Sequence, residues 1–201
     1  MNIRRGGNDR GVELGDEESL PDSLMRLSPS ELNLGGLGME GSLSVLVDVL
    51  CEPGRLAKLE KHLRSMGFAT RILSPDTLRV VQRMRLRDPG DALSMLFNAL
   101  KSSSMLTRRI CVEAWVLLPS EAVAGDTVLN TGSGFLYVRK GRRGMAVVKV
   151  VWGSVNPYVK PPPGSAMRKC VEPTGLQGLE EELRGRLADI ASLPGAAAPR
   201  G

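Results

Sequence analysis

A period-2 alternation of apolar and cationic side chains marks the stretch Leu78 to Arg87, LRVVQRMRLR. Leu78, Val80, Met84 and Leu86 fall on one side of it. Arg79, Arg83, Arg85 and Arg87 fall on the other, with Val81 among them. As a β-strand this stretch packs one face on a core and lays a line of guanidinium groups along the other. Around it the patterning predicts further elements. Leu43, Val45, Val47 and Val49 alternate with Ser44 and Asp48 and predict a central strand, closed by Glu52-Pro53-Gly54. Leu56, Leu59, Leu63 and Met66 have helical spacing, and Gly67 fits the residue just past a helix end. Ala69 to Leu73 predicts a strand joined to the arginine strand through the turn Ser74-Pro75-Asp76.

Asp88-Pro89-Gly90-Asp91 then predicts a helix start, with Asp88 as N-cap and Pro89 at the first helical position. Leu93, Leu96 and Leu100 form its buried stripe. Arg108 to Leu118 alternates again, with Ile110, Val112, Ala114, Val116 and Leu118 on one face. Cys111, Glu113, Trp115 and Leu117 occupy the other. Residues 119–134 are expected to be a loop, and Phe135 to Trp152 a second hairpin with the tip Arg139-Lys140-Gly141-Arg142-Arg143-Gly144. Asn156 to Gly164, NPYVKPPPG, is expected to be extended. Leu176, Leu179, Leu183, Leu187 and Ile190 predict an amphipathic helix that packs on the sheet or pairs with a second chain. The predicted fold is α+β: a mainly antiparallel sheet with two helices on one face, a C-terminal amphipathic helix and a flexible N-terminal arm. The expected organisation is an arm over 1–41, a basic core over 42–160, a Pro-rich spacer over 161–174, the helix over 175–193 and a tail over 194–201. On this scheme the arginine side of the third strand is an open face or an edge.

Composition sharpens this picture. Hydrophobic residues make up 42% of the chain and aromatics only 3%, so the core must be aliphatic. The net charge of +5 is unevenly spread: −4 over residues 1–40, +11 over 41–170 and −2 over 171–201. A basic middle between acidic ends is segregated charge, which points to an anionic partner; the ordinary alternative is a solvated basic surface. The candidate anion-binding residues are Arg79, Arg83, Arg85, Arg87, Arg139, Lys140, Arg142 and Arg143, on the premise that arginine strand and hairpin tip form one surface. Phosphate or an acidic lipid head group is the chemistry such residues meet. Sequence-specific base reading is not expected, and the scarcity of aromatics argues against a stacking platform for single strands.

Other chemistry is sparse. Cys51, Cys111 and Cys170 lie far apart with no C-x-x-C, so neither a disulfide framework nor a zinc site is expected, and the setting reads as reducing. The single histidine, His62, sits among the polar positions of the first helix. No nucleophile elbow or Walker A motif is present. Gly36-Leu37-Gly38-Met39-Glu40-Gly41 matches G-x-G-x-x-G but precedes a strand rather than opening a helix, and reads as a linker. Leu20, Leu24 and Leu27 have helical spacing and suit a protein partner for the arm. No catalytic residue, cofactor or metal is expected. The start MNIRRGGNDR lacks the apolar core of a signal peptide, and no run approaches the ~18 apolar residues of a spanning helix. An intracellular protein is expected, in cytoplasm or nucleus, at most peripheral on a membrane.

The size, the basic α+β body, the acidic and proline-bearing arm and the lack of catalytic groups resemble small matrix proteins of the rhabdovirus type. Arg108-Arg109 followed by Trp115, then a loop, then the strand from Met145, is similar in layout to that family's central sheet. The resemblance covers about half of the chain. The chain departs from it in lacking a P-P-x-Y motif near the N-terminus, since Pro161-Pro162-Pro163 sits late and without the tyrosine, and in the short link before Arg108. The resemblance implies a viral structural protein with membrane binding, self-association into homo-oligomers and contact with a nucleocapsid. It assigns no residue a role. The alternatives are a sequence-nonspecific nucleic-acid-binding protein, with RNA as one such partner, and a regulator that captures a host protein through its Leu-rich arm.

Overall fold

The computed structural model describes residues 42–86, 88–119, 127–140, 145–153, 156, 162–193 and 196. The arm with its glycine motif, Arg87, Arg142, Arg143 and most of the extended proline segment lie outside them. Within the described residues the chain is α+β, as its patterning predicts. Eight strands form one antiparallel sheet, and three helices pack against it.

The first half runs β1 (Ser42–Cys51), α1 (Leu56–Ser65), β2 (Ala69–Ser74), β3 (Thr77–Arg85), α2 (Gly90–Ser102) and β4 (Thr107–Pro119). These strands lie in the order β2-β3-β1-β4, each antiparallel to its neighbour. That is the split β-α-β arrangement of a ferredoxin-like unit. The second half widens the sheet past β4. β5 (Thr127–Thr131), β6 (Gly134–Lys140) and β7 (Met145–Val151) extend it in the order β4-β7-β6-β5. A short strand β8 (Lys169–Val171) joins the lower part of β4, and α3 (Leu176–Ala191) follows it.

Local chemistry explains these boundaries. At the end of α1, Phe68 N–H donates to the Leu63 carbonyl at 3.1 Å and Gly67 N–H to Arg64 at 3.0 Å, a Schellman motif. Gly67 carries the positive φ of 89° this ending requires. The β2–β3 turn is held by the Asp76 carboxylate, which accepts from Ser74 Oγ at 2.6 Å and Thr77 Oγ1 at 3.1 Å. Those hydroxyl donors hold the Asp76 carboxyl below its ordinary range. The start of α2 differs from expectation by one residue: Pro89, not Asp88, is the N-cap, and no side chain caps it. The Pro89 carbonyl already accepts from Leu93 N–H at 2.8 Å, so the ring sits one position before the helix.

One aliphatic core lies between the sheet and all three helices. Leu43, Val45, Val47 and Val49 of β1 and Ile110, Val112, Ala114 and Val116 of β4 are fully buried in it. Leu59 and Leu63 of α1 and Leu93, Leu96, Phe97 and Leu100 of α2 pack there too, with Leu176, Leu179, Leu183, Leu187 and Ile190 of α3. Thus α3 packs on the sheet, one of the two placements its spacing left open. Its attachment is partly polar. Arg186, 2% exposed, donates from Nη2 to the Phe135 carbonyl and, at 2.7 Å, to the Val151 carbonyl. Asp189 accepts from Thr131 Oγ1 at 2.6 Å and from Ser133 Oγ. Two strands were invisible in the pattern. β5 falls inside the expected loop, and β8 inside the expected spacer, because five and three residues are too short for a period of two to declare itself.

Candidate anion-binding face

The helices cover one face of the sheet, and register assigns the candidate arginines to the other. On β3, Arg79 lies opposite Asp48 of β1, Arg83 opposite Ser44 and Arg85 opposite Ser42. The strand is interior, flanked by β2 and β1, so of the two expected placements, open face or edge, its arginines take the face. Nor is the face fully open: Arg79 and Arg83 are half-buried and Arg85 is exposed.

Following each row across the sheet shows which cations share a level. Arg85, Ser42, Leu117, Val147 and Arg139 form one lateral row through β3, β1, β4, β7 and β6. Arg83, Ser44, Trp115, Lys149 and Tyr137 form the next. The arginine strand and the base of the β6–β7 hairpin therefore reach the same end of the same face. Four strand steps separate Arg85 from Arg139, about 19 Å at ordinary inter-strand spacing. Lys140 falls one residue further, opposite Ala146, and so belongs to the helix-bearing side.

Arg79 has an internal partner. Its Nε and Nη2 donate to the two carboxylate oxygens of buried Asp48 at 2.7 and 2.9 Å, a bidentate pair. Asp48 also receives Arg168, from the segment just before β8. Burial pushes the Arg168 guanidinium down from its ordinary value. Arg79 thus serves an internal ion cluster. A second buried pair lies in the middle of the face, where Lys149 Nζ meets Glu113 Oε1 at 2.5 Å, with Lys149 only 1% exposed.

Two cations on this face escaped the patterning. Arg71 of β2 lies opposite Arg79 and is exposed, and Arg109 of β4 lies opposite Leu50 and is exposed. Arg71 is the one arginine of β2 and Arg109 follows Arg108 in β4, and only the pairing register brings each to the face.

The cysteines correct an expectation. Cys111 and Cys170 are joined by a disulfide, across 59 residues of chain. The register explains it: β8 pairs with β4 so that Cys170 lies directly opposite Cys111, with Cα atoms 4.0 Å apart. Because β8 has no sequence signal, neither does this pairing. Cys51 is a free, buried thiol whose pKa is raised to about 11 by burial and, less, by the charge of Asp76. His62 spans α1 and α2 through a 2.9 Å hydrogen bond with Ser102 Oγ. Among the described residues no group of three His, Cys, Asp or Glu side chains is placed to hold a metal ion. No helix among them is long and apolar enough to cross a membrane.

No family model matches the chain, and neither a curated protein nor a solved structure matches it.

Proposed function

We propose that the chain is a non-enzymatic assembly protein of matrix-like kind, whose basic sheet face contacts an anionic surface: acidic lipid, a nucleocapsid or both. One observation carries the reading. Arg83 and Arg85 on β3 and Arg139 on β6 stand at one end of one face, at opposite sides of a five-strand span. Cations spread across a sheet suit a broad anionic surface, because each gains from the local potential without a shaped pocket. Arg71 and Arg109 extend the same charge along the face. The thiol chemistry supports the non-enzymatic part: buried Cys51, with its pKa raised to about 11, is a poor nucleophile at neutral pH. Self-association and capture of a protein partner by the N-terminal arm belong to this proposal as well.

The test is binding of the full chain to vesicles with and without acidic lipid, and to mixed-sequence RNA, each over a salt series. The proposal expects binding that requires acidic lipid and weakens with salt. Binding to RNA alone, falling linearly in log salt, would replace it with a nucleic-acid-binding role. Binding to neither would leave the face as solvated surface.

A further inference from the structure

We propose that the Cys111–Cys170 disulfide is a reducible latch that sets whether one cation of the basic face, Arg168, reaches solvent, an inference that rests on the anion-binding role just proposed. Arg79, Asp48, Cys111 and Cys170 occupy one lateral row through β3, β1, β4 and β8. Arg168 sits two residues before Cys170 and crosses to the same carboxylate that holds Arg79. Asp48 therefore binds two guanidinium groups, one of them delivered by a strand of three residues.

So short a strand has little pairing of its own, and the disulfide is its covalent tie to β4. The flanking anchors lie on either side of it. Upstream, Met167 packs with Tyr137 and Val151, and Trp152 N–H donates to the Ala166 carbonyl at 2.7 Å. Downstream, α3 is seated in the core. Opening the bond thus loosens residues 168–171, which keep the short pairing with β4, the Lys169–Glu182 ion pair and the seat of Val171 on the core, and leaves both anchors in place. Both cysteines are half-buried rather than enclosed, so a reductant has access to the bond.

The reductant is a dithiol. One of its thiolates attacks a cysteine sulfur, forming a mixed disulfide and expelling the other cysteine as thiolate. The second thiol of the reductant then attacks the mixed disulfide, leaving it oxidised and both cysteines reduced, with two electrons transferred. In the reduced chain Asp48 keeps its bidentate partner Arg79, and Arg168 turns to solvent. The charge of the face is unchanged, since Asp48 offsets one guanidinium in either state; what changes is that Arg168 reaches solvent.

The experiment compares the oxidised full chain with the same chain reduced by dithiothreitol. Hydrogen exchange is followed at residues 168–171, and binding to vesicles with acidic lipid and to a mixed-sequence RNA is measured over salt. The expected result is faster exchange at 168–171 with exchange in Leu179–Ile190 unchanged. Binding should tighten about fivefold, as for one guanidinium brought within reach of the anionic surface, and Arg168→Gln should abolish that gain. Unchanged exchange at 168–171 overturns the latch. Faster exchange with equal binding in both redox states overturns its control of the face. Binding in neither state defeats the anion-binding role itself, whatever the exchange shows.

Discussion

Gly134 leaves the space that Arg186 fills. A Cβ built on Gly134 would lie 2.8 Å from the Arg186 guanidinium carbon and closer still to Nη1, and the backbone there has a φ of 148°. The last strands and the last helix are joined at this point. Gly134→Ala combines a steric overlap with a strained φ and is expected to cost about 2 kcal/mol or more. Arg186→Met removes the donor to the half-buried Phe135 and buried Val151 carbonyls and is expected to cost about 2–4 kcal/mol. Because both act on one contact, the double variant should be less destabilised than the sum, as a urea-unfolding cycle would measure. Full additivity would mean that the contact does not hold the helix.

Lys149 and Glu113 provide a second test. Replacing Lys149 by Met strands a carboxylate inside the sheet and is expected to cost about 3–5 kcal/mol, whereas Lys149→Met with Glu113→Leu should recover most of it. Chemical denaturation of the two variants and the parent chain checks this. If the single and double variants are equally unstable, the pair is not a self-contained unit.

Asp189 and Glu180 contribute to the acid limb of stability. Burial raises Asp189, but hydrogen bonds from Ser133 and Thr131 and the charge of Arg186 outweigh it, and the net shift is down. Burial likewise raises Glu180, and Lys101 and Arg184 outweigh it. Folded values below unfolded ones mean that the unfolded chain binds more protons as pH falls. Their stabilisation is present above about pH 4, the unfolded range, and is lost as pH drops through the folded values. Asp189→Asn with Glu180→Gln should flatten the fall in stability below about pH 4, the unfolded range, while lowering stability at pH 7. An unchanged acid limb would contradict the assignment.

The cysteines should behave unequally. The native chain is expected to show no thiol reactive at pH 8, because Cys51 is buried with a pKa of about 11 and the other two are bonded. Unfolding without reductant should expose one thiol. Replacing Cys111 and Cys170 by Ser should cost up to about 4 kcal/mol, the loop-closure value for a separation of 59 residues. Three reactive thiols in the unfolded, unreduced chain would refute the bond.

Much of this molecule was legible in its patterning, for a physical reason. Strands β1, β3 and β4 are long enough to repeat a period of two, and the α3 residues Leu176, Leu179, Leu183, Leu187 and Ile190 are buried as their spacing predicts. What the pattern missed depends on contacts distant in the chain. Arg186 looks like any solvated helix arginine until the ends of β6 and β7 supply its carbonyl acceptors. Arg79 looks like its neighbours until register sets Asp48 beside it. Of the eight candidate cations, Arg83, Arg85 and Arg139 share the face, Arg79 is committed to Asp48, and Lys140 belongs to the other side; Arg87, Arg142 and Arg143 lie outside the described residues.

The most direct measurement is the salt-dependent binding of the Arg83→Ser, Arg85→Ser, Arg139→Ser triple variant to acidic-lipid vesicles and to RNA, alongside the parent chain and after circular dichroism shows the fold intact. The account predicts a loss of about 3 kcal/mol in affinity for the acidic vesicles, near 1 kcal/mol for each cation removed, with a weaker dependence on salt. Affinity and salt dependence equal to the parent's for every polyanion would contradict it.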